Sequence, residues 1–344
     1  MFMTKEIKST ALIKKQNIKN IKRIIQEKGS VTKPEVAEKT GLSVVTCGTI
    51  LNELTADGTI VEEAFRLSSG GRPAMSYRFS PNAGNSLCLY AYTENNSSFI
   101  RHQILDLSGN IKEVGVSQEK SIDIDTLIAD IKKIVRPELN IKVIVIGIQG
   151  CINENIVEFS DLSELSGINI SQEVQKATGI PTRVENDMNT VALGLQKSFE
   201  GKGTGSAKCS SKNVALLFFP KGQTPAGGFI VDGNILRGSS NLAGELSFFP
   251  YGFNKEHQRI AFSNIHHAAP IINQLLIATT VFLDPAIIVI TGGLSSEINQ
   301  HQLLKHLSES LHRHQLPKIE IRPIVETEYF AGLHSIAVDY QLDA

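Results

Sequence analysis

The segment SVTKPEVAEKTGLSVVTCGTILNELTA, residues 30–56, decides the fold of the N-terminal part of this chain. Thr32 is a residue type that favours the N-cap of a helix, and Glu35, three residues later, completes a capping box with it. Pro34 falls at an early helical position, where its missing N–H costs little. These signals predict a short helix that runs to about Lys39.

A second helix is predicted after a tight turn. Gly41 allows the turn, and Ser43 caps a helix that continues to about Ala56. A preceding amphipathic helix covers residues 17–28, where isoleucines recur three and four positions apart. Two short helices joined by a glycine-containing turn indicate a helix-turn-helix, with an unrelated helical hairpin as the alternative. The inward positions of the second helix are Cys47, Ile50, Leu51 and Leu54.

The residues after this helix predict a β-hairpin that serves as a wing. Strands are expected over 59–65 and 75–79, and the tip between them reads SSGGRP at 68–73. The extended, glycine-flanked Arg72 is slim enough to enter the minor groove of A·T-rich DNA, with a plain surface turn as the alternative. No groove-facing residue after Ser43 can make a bidentate base contact, so wing and phosphate contacts are expected to supply much of the affinity. The positions expected at the DNA surface are Thr32, Ser43, Val44, Val45, Thr46, Thr49, Gly70, Gly71 and Arg72.

Charge is distributed unevenly along the chain. Residues 1–80 contain 13 Lys/Arg and 8 Asp/Glu, a net charge of +5, which leaves −6 for the remainder. A basic segment on an acidic body indicates a part that binds a polyanion, attached to a domain with another role. Because the sequence has no apolar run of about 18 residues, no signal-peptide pattern and no cysteine cluster, we expect a cytoplasmic protein without a membrane span, disulfide or metal site.

The remaining residues alternate between strand and helix signals. Strands are predicted over 87–92, 98–105 and 142–148, and helices over 125–135 and 170–178. Such alternation favours an α/β body that is split into two lobes, as in the actin-like sugar kinases. We therefore expect a winged helix-turn-helix domain at 1–82 and a kinase-like domain at 83–344. The first lobe is expected to comprise about residues 83–185 together with the C-terminal end of the chain, which returns to it. The second lobe is expected at about 186–320.

Several motifs follow one another along the body. They are Asp106-Leu107-Ser108-Gly109, Gly147-Ile148-Gln149-Gly150, Asn186-Asp187, Asp232-Gly-Asn-Ile-Leu-Arg-Gly238, Ala243-Gly-Glu-Leu246, Leu283-Asp284-Pro285 and Thr291-Gly292-Gly293. Each motif is weak alone, but the ordered set covers nearly the whole body and resembles the ROK family, whose name stands for repressor, open reading frame and kinase. The N-terminal Thr40-Gly41-Leu42-Ser43 and Gly70-Gly71-Arg72-Pro73 also resemble the winged-helix part of ROK repressors.

The resemblance implies a two-lobed actin-like, ribonuclease H-like fold with a sugar in the cleft between the lobes. It implies that Gly150, Asn186, Asp187 and Glu245 face that sugar, and that Asp187 occupies the position of the base in the ROK kinases. Carboxylates and an amide suit vicinal hydroxyls, because they accept and donate hydrogen bonds. Asn186-Asp187 taken alone also fits an ordinary strand-to-helix cap.

The sequence departs from the family at both phosphate loops and at its zinc site. Residues 91–96 contain no glycine where the family has an Asp followed by a Gly-Gly-Thr type turn, and Pro225 removes an amide from the second loop, at 222–226. Phe248 stands where the family has a metal-binding histidine, and no cysteine follows it over 253–262. ATP and zinc are therefore not expected to bind, and no cofactor or metal is predicted.

The function expected from these features is a sugar-responsive transcriptional regulator of carbohydrate genes, acting as a repressor, and not an enzyme. Its expected partners are double-stranded operator DNA, a sugar or sugar derivative, and a second copy of the chain, since helix-turn-helix proteins commonly bind two half-sites. Two alternatives remain open at this stage. One is a sugar kinase with a DNA-binding part, which Asp187 supports and the degraded phosphate loops oppose; the other is a DNA-binding protein that senses no effector.

Overall fold

The N-terminal part of the chain folds as three helices and a small sheet. In the computed structural model, which describes residues 10–64, 75–94, 97–200 and 212–343, the three strands pair antiparallel in the order β1-β3-β2. These elements, which we call the head, are α1 (Thr10–Lys28), β1 (Val31–Thr32), α2 (Lys33–Thr40), α3 (Val44–Ala56), β2 (Ile60–Ala64) and β3 (Met75–Phe79).

The local signals of the head act as the sequence predicts. The side chain of Thr32 caps α2, Glu35 completes the capping box, and Ser43 caps α3 by accepting from the amide of Thr46. The four inward residues predicted for α3 are buried. They pack against Ile21 and Ile25 of α1, which are fully buried. The predicted wing tip, including Gly70, Gly71 and Arg72, lies outside the described residues.

The first lobe is a five-stranded sheet in the order β10-β7-β4-β5-β6, in which β4, β7 and β10 run parallel. Strand β7 is an apolar run with six buried residues in succession, as expected for a strand that is covered on both faces. Its elements are β4 (Asn85–Glu94), β5 (Ser97–Asp106), β6 (Ile111–Glu119), α4 (Ile124–Ile134), β7 (Ile141–Ile148), the hairpin β8 (Gly150–Asn153) and β9 (Ile156–Ser160), α5 (Ile170–Thr178) and β10 (Thr182–Asn186).

The second lobe repeats this plan with a sheet in the order β13-β12-β11-β14-β15. In both sheets the first strand in chain order is central, flanked by an antiparallel second strand and a parallel fourth one. Its elements are α6 (Asp187–Glu200), β11 (Val214–Phe218), β12 (Ala226–Val231), β13 (Asn234–Ile235), α7 (Lys255–Ala261), α8 (Ile265–Leu283), β14 (Ile287–Thr291), α9 (Gln300–Ser310) and β15 (Lys318–Ile321). The C-terminal helix α10 (Glu326–Asp343) returns to the first lobe and packs against β4 and β7. The predicted α/β fold with two actin-like lobes behind a winged helix-turn-helix is confirmed.

Helices α6 and α10 lie between the lobes and join their cores. One apolar cluster contains Val143 of β7, Leu216 of β11, Leu195 of α6 and Leu333 of α10. The helices α4 and α5 cover the outer face of the first lobe, and α8 and α9 cover that of the second. Helix α8 is, among the described residues, long and apolar enough to cross a membrane, but its buried face forms part of the second lobe's core.

The structure differs from the sequence prediction in several elements. Helix α1 begins at Thr10, earlier than residue 17. Strand β10 continues through Asn186 into α6 at Asp187, and Asn186 caps that helix, as the strand-to-helix alternative predicted. The C-terminal helix α10 was not predicted. Its buried residues face the two lobes and the head, so it lacks the one-sided apolar stripe on which helix prediction relies.

Candidate functional site

A cavity of about 550 Å³ lies between the two lobes, a size typical of small-molecule sites. The structure brings the four residues predicted to face a sugar, Gly150, Asn186, Asp187 and Glu245, together on its wall. The first three come from the carboxyl ends of strands in the first lobe and from the start of α6. Glu245 comes from the loop that follows β13 in the second lobe. A ligand in this cavity would therefore contact both lobes.

Asn186 and Gly150 give the cavity wall its shape. The Asn186 side chain donates from Nδ2 to the Gly150 carbonyl oxygen at 2.7 Å, and its Oδ1 accepts from the amide of Asn189 at 2.9 Å. Gly150 has a φ of 138°, and a Cβ there would lie 2.2 Å from the carbonyl oxygen of Phe159. Helix capping is thus what Asn186 does in the structure, and this amide has less capacity for a sugar than the sequence indicated.

Asp187 is a buried carboxyl at the first turn of α6. Its side chain is 7% exposed, and Oδ1 accepts from the amide of Met188 at 2.9 Å. Burial, helped by the charges of Glu245 and Asp161, raises the pKa of Asp187 to about 7 against the opposing hydrogen bond from the amide of Met188. Burial also raises the pKa of Glu245, and the positive charge of Lys255 partly offsets this rise. Perturbed carboxyls in a cleft are typical of functional sites.

Both segments that correspond to phosphate loops line the same cavity, and in each of them one backbone amide is engaged by another part of the protein. The amide of Thr93, at the end of β4, donates to Oε1 of Gln149 at 3.0 Å. In the second segment the amide of Gly222 donates to the carbonyl oxygen of Phe262 at 2.9 Å, and Pro225 has no amide proton. Few amides are left to bind a polyphosphate.

Two cations and one aromatic ring form a part of the cavity wall that the sequence did not predict. Lys255 and Arg259 of α7 line it, as does Phe159 of β9. The ammonium group of Lys255 lies 4.3 Å from the ring centroid of Phe248, and the Phe159 and Phe248 rings are 6.1 Å apart. The spacing of Lys255 and Arg259, four residues apart in a helix, was the signal that was available. Asp161 of the cavity wall was missed as well.

Polar contacts bridge the two lobes beside the cavity. Arg237 forms an ion pair with Glu185, a largely buried carboxylate at the end of β10. Asn241 donates to Oδ1 of Asn153 in β8 at 2.9 Å. The segment after β13 therefore connects the second lobe to the strand ends of the first lobe, whose residues line the cavity.

The exposed face of α3 carries the residues predicted to contact DNA. Val45 is 80% exposed and Val44 is 50% exposed, an unusual solvent exposure for β-branched apolar residues. The hydroxyls of Ser43 and Thr46 bond to each other at 2.8 Å, and Thr49 donates to the carbonyl oxygen of Val45. Thr32 is half-buried and its hydroxyl donates to Glu35 within the capping box, so the structure gives it a role inside the head.

The head is attached to helix α10. Leu107, Val338 and Leu342 of the body belong to the same apolar cluster as the buried residues of the head. Arg23 of α1 forms an ion pair with Asp339 at 3.1 Å, and Lys19 forms one with Asp343. Helix α10 therefore touches the head at its C-terminal end and α6 along its length.

Comparison with known proteins gives consistent matches for both parts of the chain. Residues 15–61 match a winged helix-turn-helix DNA-binding family, and residues 99–259 match the ROK family. A xylose repressor of Bacillus spizizenii is 25% identical over 255 residues, which cover 72% of this chain and 64% of the repressor; the match thus spans less than two thirds of that relative's length.

Solved structures show the same fold. One is a ROK family transcriptional regulator, described as a homologue of the E. coli MLC protein. The superposition includes 96% of this chain and 98% of the regulator, with a TM-score of 0.71 and 19% sequence identity. Another is a ROK hexokinase from Thermus thermophilus. This superposition includes 75% of this chain and 99% of the hexokinase, with a TM-score of 0.53 and 16% sequence identity. The first match includes the head and the second is limited to about the length of the body.

Proposed function

We propose that this chain, a member of the ROK family with a winged helix-turn-helix at its N-terminus, is a DNA-binding repressor of carbohydrate genes. Its kinase-like domain senses a sugar without phosphorylating it. The observation that carries the proposal is the meeting of Asp187 and Glu245 on one cavity wall, in a chain that also has an exposed recognition helix. The repressor names of the curated relatives support the same assignment.

Binding to operator DNA is assigned to the head. The N-terminal 80 residues carry a net charge of +5, which favours association with phosphates. The valine methyl groups that α3 exposes to water are suited to contact thymine methyls in a major groove. We assign the base contacts to Val44, Val45, Thr46 and Thr49. Minor-groove contact is assigned to Arg72.

Sugar recognition is assigned to the cavity. Each carboxylate can accept hydrogen bonds from two vicinal hydroxyls, and desolvation makes an unpaired hydroxyl costly there. The pKa of Asp187, near 7, also suits a base in phosphoryl transfer, which favours a sugar kinase as the second candidate. Against that candidate stand the engaged amide of Thr93 and the proline at 225, because phosphoryl transfer depends on a firmly held nucleotide.

Coupling between the cavity and the head is assigned to α6 and α10. Helix α6 begins with Asp187 on the cavity wall and packs along α10, which in turn contacts α1 of the head through Asp339 and Asp343. A sugar that draws the lobes together shifts α6 against α10 and so changes the position of the head. By linkage, a sugar that weakens DNA binding must itself bind the DNA-bound protein more weakly.

The proposal is tested with full-length protein and a duplex that the protein selects from a random DNA library. Sugars are then screened for release of the selected duplex. Glu245→Gln and Asp187→Asn are expected to bind the duplex like the parent but to need several-fold to about a hundredfold more sugar for release, because each leaves hydroxyls unpaired at a cost of about 1–3 kcal/mol. Glu309→Gln, an exposed change on α9, is the matched control.

Two outcomes contradict the proposal. If no duplex is enriched over the starting library, the assignment of the head to DNA is wrong. If a sugar releases the duplex equally well from parent and cavity variants, the sensor site lies elsewhere in the molecule.

A further inference from the structure

Helix α7 places two cations, Lys255 and Arg259, on the wall of the cavity. They are four residues apart and therefore on the same face of the helix, where like charges repel each other and destabilise it. Among the residues that the structure describes, neither forms an ion pair, although the charge of Lys255 lowers the pKa of Glu245 on the same cavity wall. Two cations without an ion-pair partner that face one cavity favour an anionic group between them.

The segment beside these cations adds hydrogen-bonding side chains that suit an anion. Phe262, just after α7, accepts from the amide of Gly222, so the helix lies against the loop of residues 222–225. That loop lines the cavity and brings Gln223 and Thr224, both with hydrogen-bonding side chains, to the same wall. The site thus offers cations and neutral donors together, as sites for phosphate or carboxylate groups do.

The position of Lys255 is fixed by an aromatic contact. Its ammonium group lies 4.3 Å from the centroid of Phe248 and 5.8 Å from that of Phe159. A cation held over ring faces keeps its charge while losing conformational freedom, which lowers the entropic cost of binding an anion. Phe248 thereby supports a cation at the wall of the cavity.

From this arrangement we propose that the cavity binds an anionic sugar, whose hydroxyls face Asp187 and Glu245 and whose phosphate or carboxylate lies between Lys255, Arg259 and the loop at 222–225. This deepens the proposed sensor function and rests on it. The cavity, at about 550 Å³, has room for a monosaccharide with a charged substituent. A neutral sugar, xylose included, would leave both cations without an ion-pair partner.

The first test needs no knowledge of the sugar. Inorganic phosphate, compared with sodium chloride at equal ionic strength, is expected to raise the melting temperature of the full chain by about 2 °C or more, because it binds the folded state selectively. Lys255→Gln/Arg259→Gln is expected to abolish this rise, whereas Lys305→Gln, an exposed change on α9, is expected to retain it. An equal rise in all three proteins, or none in the parent, overturns the proposal.

The second test separates phosphate from carboxylate and the anionic from the neutral class. The dissociation constants of glucose, xylose, glucose 6-phosphate and glucuronate are measured by calorimetric titration. At least one anionic sugar is expected to bind about tenfold more tightly than both neutral sugars. This preference is expected to disappear in Lys255→Gln/Arg259→Gln. Glucose 6-phosphate and glucuronate identify which anion the site accepts. A neutral sugar that binds as tightly as the anionic ones overturns the proposal.

The two proposals fail in different ways. If a neutral sugar releases DNA and no anionic sugar does, the sensor function stands and the anionic site is wrong. If neither class releases DNA while the selected duplex still binds, the sensor function fails and the anionic effector fails with it.

Discussion

Gly332 of α10 lies so close to α6 that a Cβ atom on it would come within 1.9 Å of the carbonyl oxygen of Thr190. The same crossing brings Gly194 of α6 against α10, where a Cβ would lie 1.8 Å from the carbonyl oxygen of Glu328. Two glycines thus let the backbones of the helices touch between the lobes. Because the helices are in direct contact, we expect a displacement at the first turn of α6 to be passed to α10.

Gly332→Ala is expected to destabilise the protein by about 1–3 kcal/mol, because the added methyl group meets backbone that cannot move away easily. The free energy of unfolding from urea denaturation measures this. Gly48→Ala is a matched control, since Gly48 is also helical but its nearest neighbour, Lys33, lies 3.8 Å from the built Cβ. The control is expected to be neutral, or stabilising by up to about 1 kcal/mol from helix propensity. Equal destabilisation by both changes would mean that the crossing is not tight.

Asp187→Asn is expected to stabilise the folded protein, and to do so more at pH 8 than at pH 5. The pKa of Asp187 is raised from 3.8 to about 7, so the folded state holds this proton more tightly than the unfolded chain. Its ionisation cost therefore grows as pH rises from about 4 and levels off above about 7, reaching at most about 4 kcal/mol. Asparagine keeps an oxygen for the amide of Met188 and carries no such cost. A difference between the two proteins that does not change between pH 5 and pH 8 would contradict the assignment.

The protein is expected not to transfer phosphate from ATP to hexoses. The Thr93 amide is engaged by Gln149 and position 225 has no amide proton, so too few donors remain for the nucleotide. A coupled assay for ADP release with glucose, mannose and xylose measures this. Sugar-dependent ADP release that disappears in Asp187→Asn would support the kinase alternative.

Arg72→Ala is expected to weaken binding more on duplexes with A·T-rich flanks than on those with G·C-rich flanks. The narrow minor groove of A·T tracts is the source of the attraction for an inserted arginine. Fluorescence anisotropy at a fixed salt concentration measures both affinities. Equal losses on the two duplexes would make Arg72 a phosphate contact, and no loss on either would remove it from the interface.

Much of the head and of the candidate site was predictable from the sequence. The capping box of Thr32 and Glu35, the turn at Gly41 and the cap at Ser43 depend on neighbours within four residues, so their signals are local and readable. The four residues predicted to line a sugar site do lie together in the cleft. Their role in binding stays a prediction, and Asn186 proved to be occupied by bonds to Gly150 and Asn189.

The sequence by itself determined the helix-turn-helix of the head, the two-lobed α/β body and the departures at both phosphate loops, because these follow from local propensity and from ordered motifs. Only the tertiary structure decided that α7 turns Lys255 and Arg259 into the cavity, and that α10 joins the cleft to the head. The physical reason is that both features depend on contacts between residues far apart in the chain. A helix covered on several sides, as α10 is, shows no polar face in its sequence, and the partners of a cation are set by whichever distant segments fold against it.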